Sequence, residues 1–171
     1  PMEKIELVVV DSSTDHTRDL IRAYFADLDA PDLRLIEEDE RRGLAPALNE
    51  AYEAAEREMV VKTDCDSKLP PDVLREAAAN LADPEVGAVT GRNVEVLGGS
   101  EVESGYREIQ SYIQQLESYL DSTLIFHGPF SAFENDAIVP IDPDSIADDT
   151  ELALKIRKNG KRVVFDPAIQ Y

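Results

Sequence analysis

Short apolar runs alternate with amphipathic segments along the whole chain. Runs rich in Val, Ile and Leu predict strands over Ile5–Val10, Leu33–Ile36, Met59–Thr63, Val86–Thr90 and Val163–Phe165. Between these runs the apolar residues recur at helical spacing, which predicts helices over Thr17–Asp27, Ala45–Arg57, Pro71–Leu81, Glu101–Leu120 and Asp148–Lys158. Strands that alternate with helices favour an α/β fold with a mainly parallel sheet.

The predicted helix over Glu101–Leu120 is mostly polar but carries a regular apolar stripe. The stripe consists of Tyr106, Ile109, Ile113, Leu116 and Leu120. Residues at this spacing share one side of a helix. We expect the helix to lie across the sheet or against a partner.

Charge narrows the classes of function. The chain has 171 residues, enough for one domain, and a net charge of −19. Such a chain repels nucleic acid and anionic lipid, so we expect neither as a partner. An acidic, solvated surface adapted to high salt is one hypothesis for the charge.

Two other features concern the location of the protein in the cell. Cys65 is the one cysteine, so no internal disulfide can form and the cysteine count does not indicate an oxidising compartment. No apolar run approaches the roughly 20 residues needed to span a bilayer. We expect a cytoplasmic protein, with membrane association only through segments absent from this chain.

Two carboxylates stand where the central apolar run ends. Asp64 and Asp66 follow Met59–Thr63 directly. Ligands of open α/β sheets sit beyond the carboxyl ends of the strands. Mg²⁺ binds one or two carboxylates together with substrate phosphate oxygens, and Mn²⁺ takes similar donors. The pair predicts a shared metal and phosphate site, although Asp is also common in ordinary turns.

Two further acidic pairs lie at predicted element boundaries. Asp11 and Asp15 follow the first strand, and Asp148 and Asp149 begin the last helix. In one parallel sheet the Asp11 and Asp64 loops would share an edge and face a common crevice. The alternative for Asp148 and Asp149 is a helix cap, which needs no ligand.

Five segments in the same order resemble the family-2 inverting glycosyltransferases of the GT-A fold. The matching segments are Val9–Thr17, Arg42-Gly43 with Ala47-Leu48-Asn49, Thr63–Ser67, Gly128–Phe133, and Asp148–Leu152 with Lys158–Val164. The resemblance implies a nucleotide-diphospho-sugar transferase fold. It also implies an enzyme that moves a sugar from a nucleotide donor to a hydroxyl acceptor, either a saccharide or a lipid-linked one.

The resemblance assigns roles to individual residues. It implies Mn²⁺ or Mg²⁺ at Asp66 with help from Asp64, and nucleotide-sugar contacts at Asp11 and Asp64. It implies an acceptor floor at Gly128 and Phe130, with Asp148 beside it, and Asp149 as general base. For Arg42, contact with the diphosphate and a solvated ion pair with Glu37–Glu40 are equal alternatives.

The sequence also departs from the family pattern. The family's opening strand is absent before Ile5, so we expect a single catalytic domain over residues 1–171 that lacks this strand and any C-terminal membrane segment. His16 replaces a common Gly, and no Trp is present for the Gln-x-x-Arg-Trp signature of processive synthases. A catalytically degenerate domain that binds nucleotide-sugar without turnover is therefore an alternative to the active enzyme.

A non-enzymatic module is the other alternative. Asp11-x-Ser13-x-Asp15 is similar to the metal-ion adhesion motif of von Willebrand factor A-like domains. Asp15 stands where that motif has a second Ser, and such a module has no use for Asp64 and Asp66. The lone His127 before Gly128 is either a metal ligand or a structural residue, with the structural role favoured.

Overall fold

The structure is a computed structural model that describes residues 2–29, 31–94, 101–124 and 126–171, with the backbone alone for 101–104. The chain divides into two compact units. The first unit extends to Glu58 and includes Pro140–Ile146, and the second unit contains Met59–Val139 and Ala147–Tyr171. The prediction of one catalytic domain over residues 1–171 stays a prediction.

The first unit is built on two parallel strands. After a 3-10 turn at Met2–Lys4, its elements are β1 (Glu6–Asp11), α1 (Thr17–Phe25), β2 (Asp32–Glu37) and α2 (Leu44–Ala54). β1 pairs with β2 in parallel, with Asp11 opposite Glu37. The Asn49 side chain on α2 donates to the Ile141 carbonyl at 2.7 Å and accepts from the Ile141 N–H at 2.8 Å. This amide pair ties Pro140–Ile146 to the first unit, although the segment is far away in sequence.

The second unit is a four-stranded sheet with helices. Its elements are β3 (Met59–Thr63), α3 (Val73–Leu81), β4 (Val86–Arg92), α4 (Glu101–Leu120), β5 (Phe130–Glu134), a 3-10 turn at Asn135–Ala137, α5 (Asp148–Lys158) and β6 (Arg162–Gln170). The strand order is β3-β5-β4-β6. Val89, Phe130, Ala132, Val164 and Ile169 form the centre of its core. Burial of these apolar side chains is the main stabilising contribution to this unit.

The fold class agrees with the prediction, but the pairing of the strands is mixed. β5 runs antiparallel to both β3 and β4, whereas β4 and β6 are parallel. The sequence did not predict β5 as a strand, because Phe-Ser-Ala-Phe-Glu is short and follows a turn. β1 and β3 also belong to different hydrogen-bonded sheets. The Asp11 and Asp64 loops therefore do not lie at the edge of one shared sheet. The prediction of a common crevice was based on such a sheet, and that basis is wrong.

α4 has the predicted extent, but its polar side faces the protein. Gln114 and Ser118 are buried, whereas all five residues of the predicted apolar stripe are exposed. The Ser118 hydroxyl accepts from the Phe165 N–H at 2.7 Å, and the Arg162 guanidinium donates to the Ser118 carbonyl at 2.8 Å. Hydrogen bonds to β6 thus hold this face in place of apolar packing. None of the helices in the described part of the chain is long and apolar enough to cross a membrane.

Candidate active site

The candidate site begins at the carboxyl end of β3. The strand ends at Thr63, and the next residues form a turn closed by a 3.1 Å hydrogen bond from the Ser67 N–H to the Asp64 carbonyl. The turn leaves Asp64 and Asp66 exposed to solvent. Two exposed carboxylates in this position are accessible to a cation from solvent.

Lys62 joins the end of β3 to the start of α5. Its ammonium donates to the Gly128 carbonyl at 2.8 Å and to Asp149 Oδ1 at 3.2 Å. Asp64 Oδ1 lies 3.6 Å from the same nitrogen. The Lys62 side chain is only 9% exposed. Residues that are far apart in sequence, Asp64 and Asp149, therefore share one buried cation.

Gly128 leaves room for the carboxylate of Asp149. A Cβ at this position would lie 2.9 Å from Asp149 Oδ2 and 3.4 Å from Lys62 Nζ. The neighbouring Pro129 carbonyl accepts from the Thr63 hydroxyl at 3.0 Å, which fixes the Gly128-Pro129 segment against β3. A side chain at residue 128 would push the Asp149 carboxylate away from Lys62.

Neither acid at the start of α5 caps the helix. The N-cap is Ala147, and no side chain forms a capping hydrogen bond. Asp149 faces Lys62, and Oδ2 of Asp148 is buried without a hydrogen-bond partner among the described residues. A buried carboxylate oxygen without a hydrogen-bond partner is costly in free energy. The capping alternative does not account for this pair.

The surroundings of Asp149 raise its pKa. Burial is the main cause, because it disfavours the charged form of the carboxyl group. The positive charge of Lys62 lowers the pKa in opposition, and the negative charges of Asp148 and Asp64 raise it further. A carboxylate with a raised pKa is a better proton acceptor than an exposed one.

A cavity of about 630 Å³ lies beside Asp64 and Asp66. Asp64, Asp66, Lys68, Pro129, Arg107 and Tyr171 are among the residues that line it. Its size is typical of pockets for small molecules and cofactors. Acidic and basic side chains on the same wall suit a ligand that carries both a cation and phosphate groups.

The side chains near Asp66 and Asp64 show whether the predicted metal could bind there. No group of three or more His, Cys, Asp or Glu side chains among the described residues could hold a metal by itself. Mg²⁺ and Mn²⁺ do not need such a cage when a substrate phosphate supplies the other oxygens. Two exposed carboxylates at a cavity therefore fit a cation that arrives with a diphosphate.

Asp11 lies in the first unit, in a dense set of hydrogen bonds. Its Oδ2 accepts from the Ser13 N–H at 3.1 Å, the Ser13 hydroxyl at 2.7 Å and Arg18 Nε at 2.8 Å. The hydrogen bonds from Ser13, followed by the bond from Arg18, hold the pKa of Asp11 below its usual value. Asp11 is therefore a fixed negative charge. Its role in nucleotide binding stays a prediction.

Arg42 also lies in the first unit, where it pairs with acidic side chains. Its guanidinium donates to Glu38 at 2.8 Å through Nε and also contacts Glu50. Of the two alternatives for Arg42, the ion pair is the one present in the structure. Contact with the nucleotide-sugar stays a prediction for this residue.

Phe130 and His127 both pack inside the second unit. The Phe130 side chain has no exposed surface, and its ring lies 5.6 Å from that of Tyr171. The side chain belongs to the core of the second unit, and its predicted contact with an acceptor stays a prediction. His127 Nε2 lies 3.0 Å from Gln114 Oε1, and burial lowers its pKa, so a structural role fits it.

Three basic residues of these sites were missed by the sequence reasoning. Lys62 binds Asp149, Arg18 binds Asp11, and Arg107 lines the cavity. Lys62 had one available signal, because a lysine inside an apolar strand needs a partner when it is buried. Arg18 and Arg107 carried no comparable signal, since exposed arginines are common on helices.

Comparison with known families identifies the chain. The family model described as "Glycosyl transferase family 2" matches residues 1–142. The chain belongs to glycosyl transferase family 2. This family assignment and the GT-A fold remove the von Willebrand factor A-like alternative.

Individual relatives of this family-2 chain are glycosyltransferases. A poly-beta-1,6-N-acetyl-D-glucosamine synthase of Staphylococcus aureus (strain COL) is 28% identical over 174 residues, which cover 96% of this chain and 42% of the synthase. The same-named enzyme of Staphylococcus epidermidis is 26% identical over 176 residues, covering 96% of this chain and 41% of the enzyme. The family-2 chain thus spans less than half the length of these relatives.

Two solved structures support the same fold. The mannosyltransferase PcManGT from Pyrobaculum calidifontis, in complex with GDP-Man and Mn²⁺, has a TM-score of 0.85 and 38% identity, and the match covers 99% of this chain and 48% of that one. S. aureus TarS 1-349 in complex with UDP-GlcNAc has a TM-score of 0.70 and 21% identity, covering 97% of this chain and 48% of that one. The second likeness shows the GT-A fold alone.

Proposed function

We propose that this chain is a metal-dependent, inverting glycosyltransferase. It moves a hexose from a nucleotide-diphosphate donor to a hydroxyl on a saccharide or lipid-linked acceptor. The observation that carries the proposal is the cluster at Lys62, which brings the acid of the predicted donor loop, Asp64, and the predicted base, Asp149, to one cation.

Asp149 is the proton acceptor in this proposal. An acceptor hydroxyl is a poor nucleophile until its proton is removed, and a carboxylate can take that proton as the new bond forms. Burial of Asp149 raises its pKa, while Lys62 keeps its carboxylate in place. A single displacement on the face opposite the leaving group inverts the anomeric carbon.

The walls of the cavity are suited to the leaving group. Asp66 and Asp64 would hold Mn²⁺ or Mg²⁺, which when bound stabilises the charge of a departing nucleoside diphosphate. Lys68 and Arg107 line the same cavity and bring positive charge towards phosphate oxygens. These cations also offset the repulsion between a diphosphate and a chain of net charge −19.

GDP-mannose is the first donor to test. PcManGT is solved with GDP-Man and Mn²⁺, and its 38% identity over nearly all of this chain supports a similar donor. UDP-GlcNAc is the second, because TarS is solved in complex with it, although that likeness at 21% identity concerns the fold. We also propose a cytoplasmic location, where nucleotide-sugars are made.

Calorimetric titration with GDP, UDP and dTDP, each with and without Mn²⁺, tests the proposal. We expect one nucleotide to bind, and only when Mn²⁺ is present. Binding followed by no release of nucleotide from the matching sugar donor would favour the degenerate domain. Equal binding of all three nucleotides without metal would contradict the proposal.

A further inference from the structure

Lys62 is a buried cation of the candidate site, and its ammonium contacts three groups of that site. Its Nζ lies 2.8 Å from the Gly128 carbonyl, 3.2 Å from Asp149 and 3.6 Å from Asp64. The first two are hydrogen bonds to acceptors before β5 and at the start of α5, and the third is an ion pair to the turn after β3. One ammonium thus links three separate segments of the chain.

The cost of burying this charge indicates that its position matters. The Lys62 side chain is 9% exposed, so its ammonium loses most of its hydration on folding. A lysine on the surface would keep its hydration. Replacing a buried ion pair with apolar side chains is often neutral for stability, so the pair is weak evidence for a folding role. The placement of the Asp149 carboxylate is what the pair determines.

Gly128 points to the same conclusion by an independent observation. Residue 128 provides its carbonyl to Lys62, and its missing side chain leaves the space that Asp149 Oδ2 approaches. The ammonium of Lys62 thus holds the Asp149 carboxylate in a space that a side chain at residue 128 would fill.

We propose that Lys62 is a positioning residue for the transfer reaction, holding the Asp149 carboxylate beside the Asp64 loop where donor and acceptor meet. This inference rests on the proposed function. Lys62 acts through Asp149 and does not itself contact the reacting atoms. Because it also faces Asp64, its positive charge competes with a divalent cation there.

The two contacts predict different effects of Lys62→Met on turnover and on the binding of Mn²⁺ with GDP. Turnover should fall about 100-fold, because a misplacement of about 1 Å in a reacting group costs roughly that much. Affinity for Mn²⁺ with GDP, measured by calorimetry, should stay unchanged or rise about threefold, since a competing charge is removed. A general loss of structure would lower both quantities.

Lys161→Met is the matched control. Lys161 also donates to a carbonyl, that of Pro84 at 2.8 Å, and to a carboxylate, Glu134 at 2.7 Å. None of these residues lines the cavity or contacts Asp149. Lys161→Met should leave both turnover and binding of GDP with Mn²⁺ within about twofold of the unmodified chain.

Two further variants keep the proposal open to contradiction if Lys62→Met does not fold. Gly128→Ala leaves Lys62 in place but displaces the Asp149 carboxylate, so it should lower turnover with GDP binding intact. Lys62→Met added to Asp149→Asn should cause no further loss of turnover, because the two residues act as a unit. Additive losses would contradict the role.

The measurements separate this role from the proposed function. Turnover is the release of GDP from GDP-mannose with Mn²⁺. If the unmodified chain releases GDP and both Lys62→Met and Gly128→Ala release it at the same rate, the role of Lys62 is wrong and the function stands. If the unmodified chain releases neither GDP from GDP-mannose nor UDP from UDP-GlcNAc, the proposed function is wrong and the role of Lys62 with it.

Discussion

Asp11 and Asp149 are both partly buried carboxylates beside a basic side chain, yet they have opposite properties. Asp11 in the first unit is 11% exposed, and one of its oxygens accepts three hydrogen bonds from Ser13 and Arg18. Asp149 in the second unit is 21% exposed and receives its hydrogen bond from Lys62. The pKa of Asp11 is lowered and that of Asp149 is raised.

Hydrogen bonds are the largest influence on the pKa of Asp11, whereas burial is the largest influence on the pKa of Asp149. Hydrogen bonds to a carboxylate stabilise its charged form, whereas burial without enough of them destabilises it. Ser13 and Arg18 together outweigh the desolvation of Asp11, and Lys62 does not outweigh that of Asp149. The surroundings of Asp11 keep its carboxylate charged, and those of Asp149 yield a group that can accept a proton.

The largest expected effect is that of Asp149→Asn. We expect turnover of GDP-mannose to fall about 1,000-fold, because general base catalysis contributes about that much. The affinity for GDP with Mn²⁺ should stay within about twofold, since the amide keeps the shape of the carboxyl group. Stopped assays of GDP release and calorimetry measure the two quantities.

Asp136→Asn is the control for this variant, because Asp136 is an exposed acid of the same unit. It should leave both quantities unchanged. Equal loss of turnover and of GDP binding in Asp149→Asn would show that Asp149 binds the donor or stabilises the fold. It would contradict the role of Asp149 as proton acceptor.

The second-largest expected effect tests whether Asp66 is a metal ligand, a role that neither Asp11 nor Asp149 has. Asp66→Ala should weaken Mn²⁺-dependent binding of GDP about 100-fold, since the cation has few protein ligands and loses one of them. Asp72→Ala removes another exposed acid of the second unit and should have no such effect. Calorimetric titration compares them, and equal affinities would contradict the metal role of Asp66.

The pH dependence of turnover tests the raised pKa of Asp149. The base must be ionised, so kcat/KM should fall about tenfold per pH unit below that pKa. Because burial raises the pKa, this fall should begin above the ordinary value of 3.8. The residual turnover of Asp149→Asn should lack this limb, and an unchanged profile would assign the limb to another group.

Asp11 should act on stability instead. Its folded-state pKa is lowered, so its contribution is present above the unfolded value near 3.8 and is lost as the pH falls through the folded value. Asp11→Asn should therefore reduce the free energy of unfolding by about 1–2 kcal/mol at pH 7. Urea unfolding at neutral pH and at a pH below 3.8 checks this, since the difference between the variants should narrow at the lower pH.

The smallest expected effect is that of salt on the melting temperature, through acidic residues other than Asp11 and Asp149. The chain has 36 acidic and 17 basic residues other than His, so screening should relieve repulsion at its surface. We expect molar KCl to raise the melting temperature by about 3 °C. Melting at the same or a lower temperature than in dilute buffer would contradict adaptation to salt.

Local patterns predicted the elements well. β3 and α5 have the predicted bounds, because apolar residues, an acidic first turn and a basic last turn mark them within a few residues of sequence. β5 was missed, although it lies between β3 and β4 in the sheet. Its five residues derive their strand conformation from both neighbours, and this information is not local.

The direction in which an element faces was harder to predict than its type. Helical spacing identified the apolar stripe of α4, and the structure exposes that stripe while it buries Gln114 and Ser118. Periodicity defines a face but does not say what lies against it. The acids of the site were predicted from motifs, whereas Lys62 needed the structure, because its partners Gly128 and Asp149 lie 66 and 87 residues away.

The stereochemistry of donor cleavage tests the central claim most directly. The chain would be incubated with GDP-α-mannose and Mn²⁺, with water as the acceptor, and the anomeric proton of the released sugar followed by NMR before mutarotation. A single displacement assisted by Asp149 predicts that β-mannose appears first, and that Asp149→Asn releases none on the same timescale. Initial release of α-mannose, or equal release by Asp149→Asn, would contradict the account.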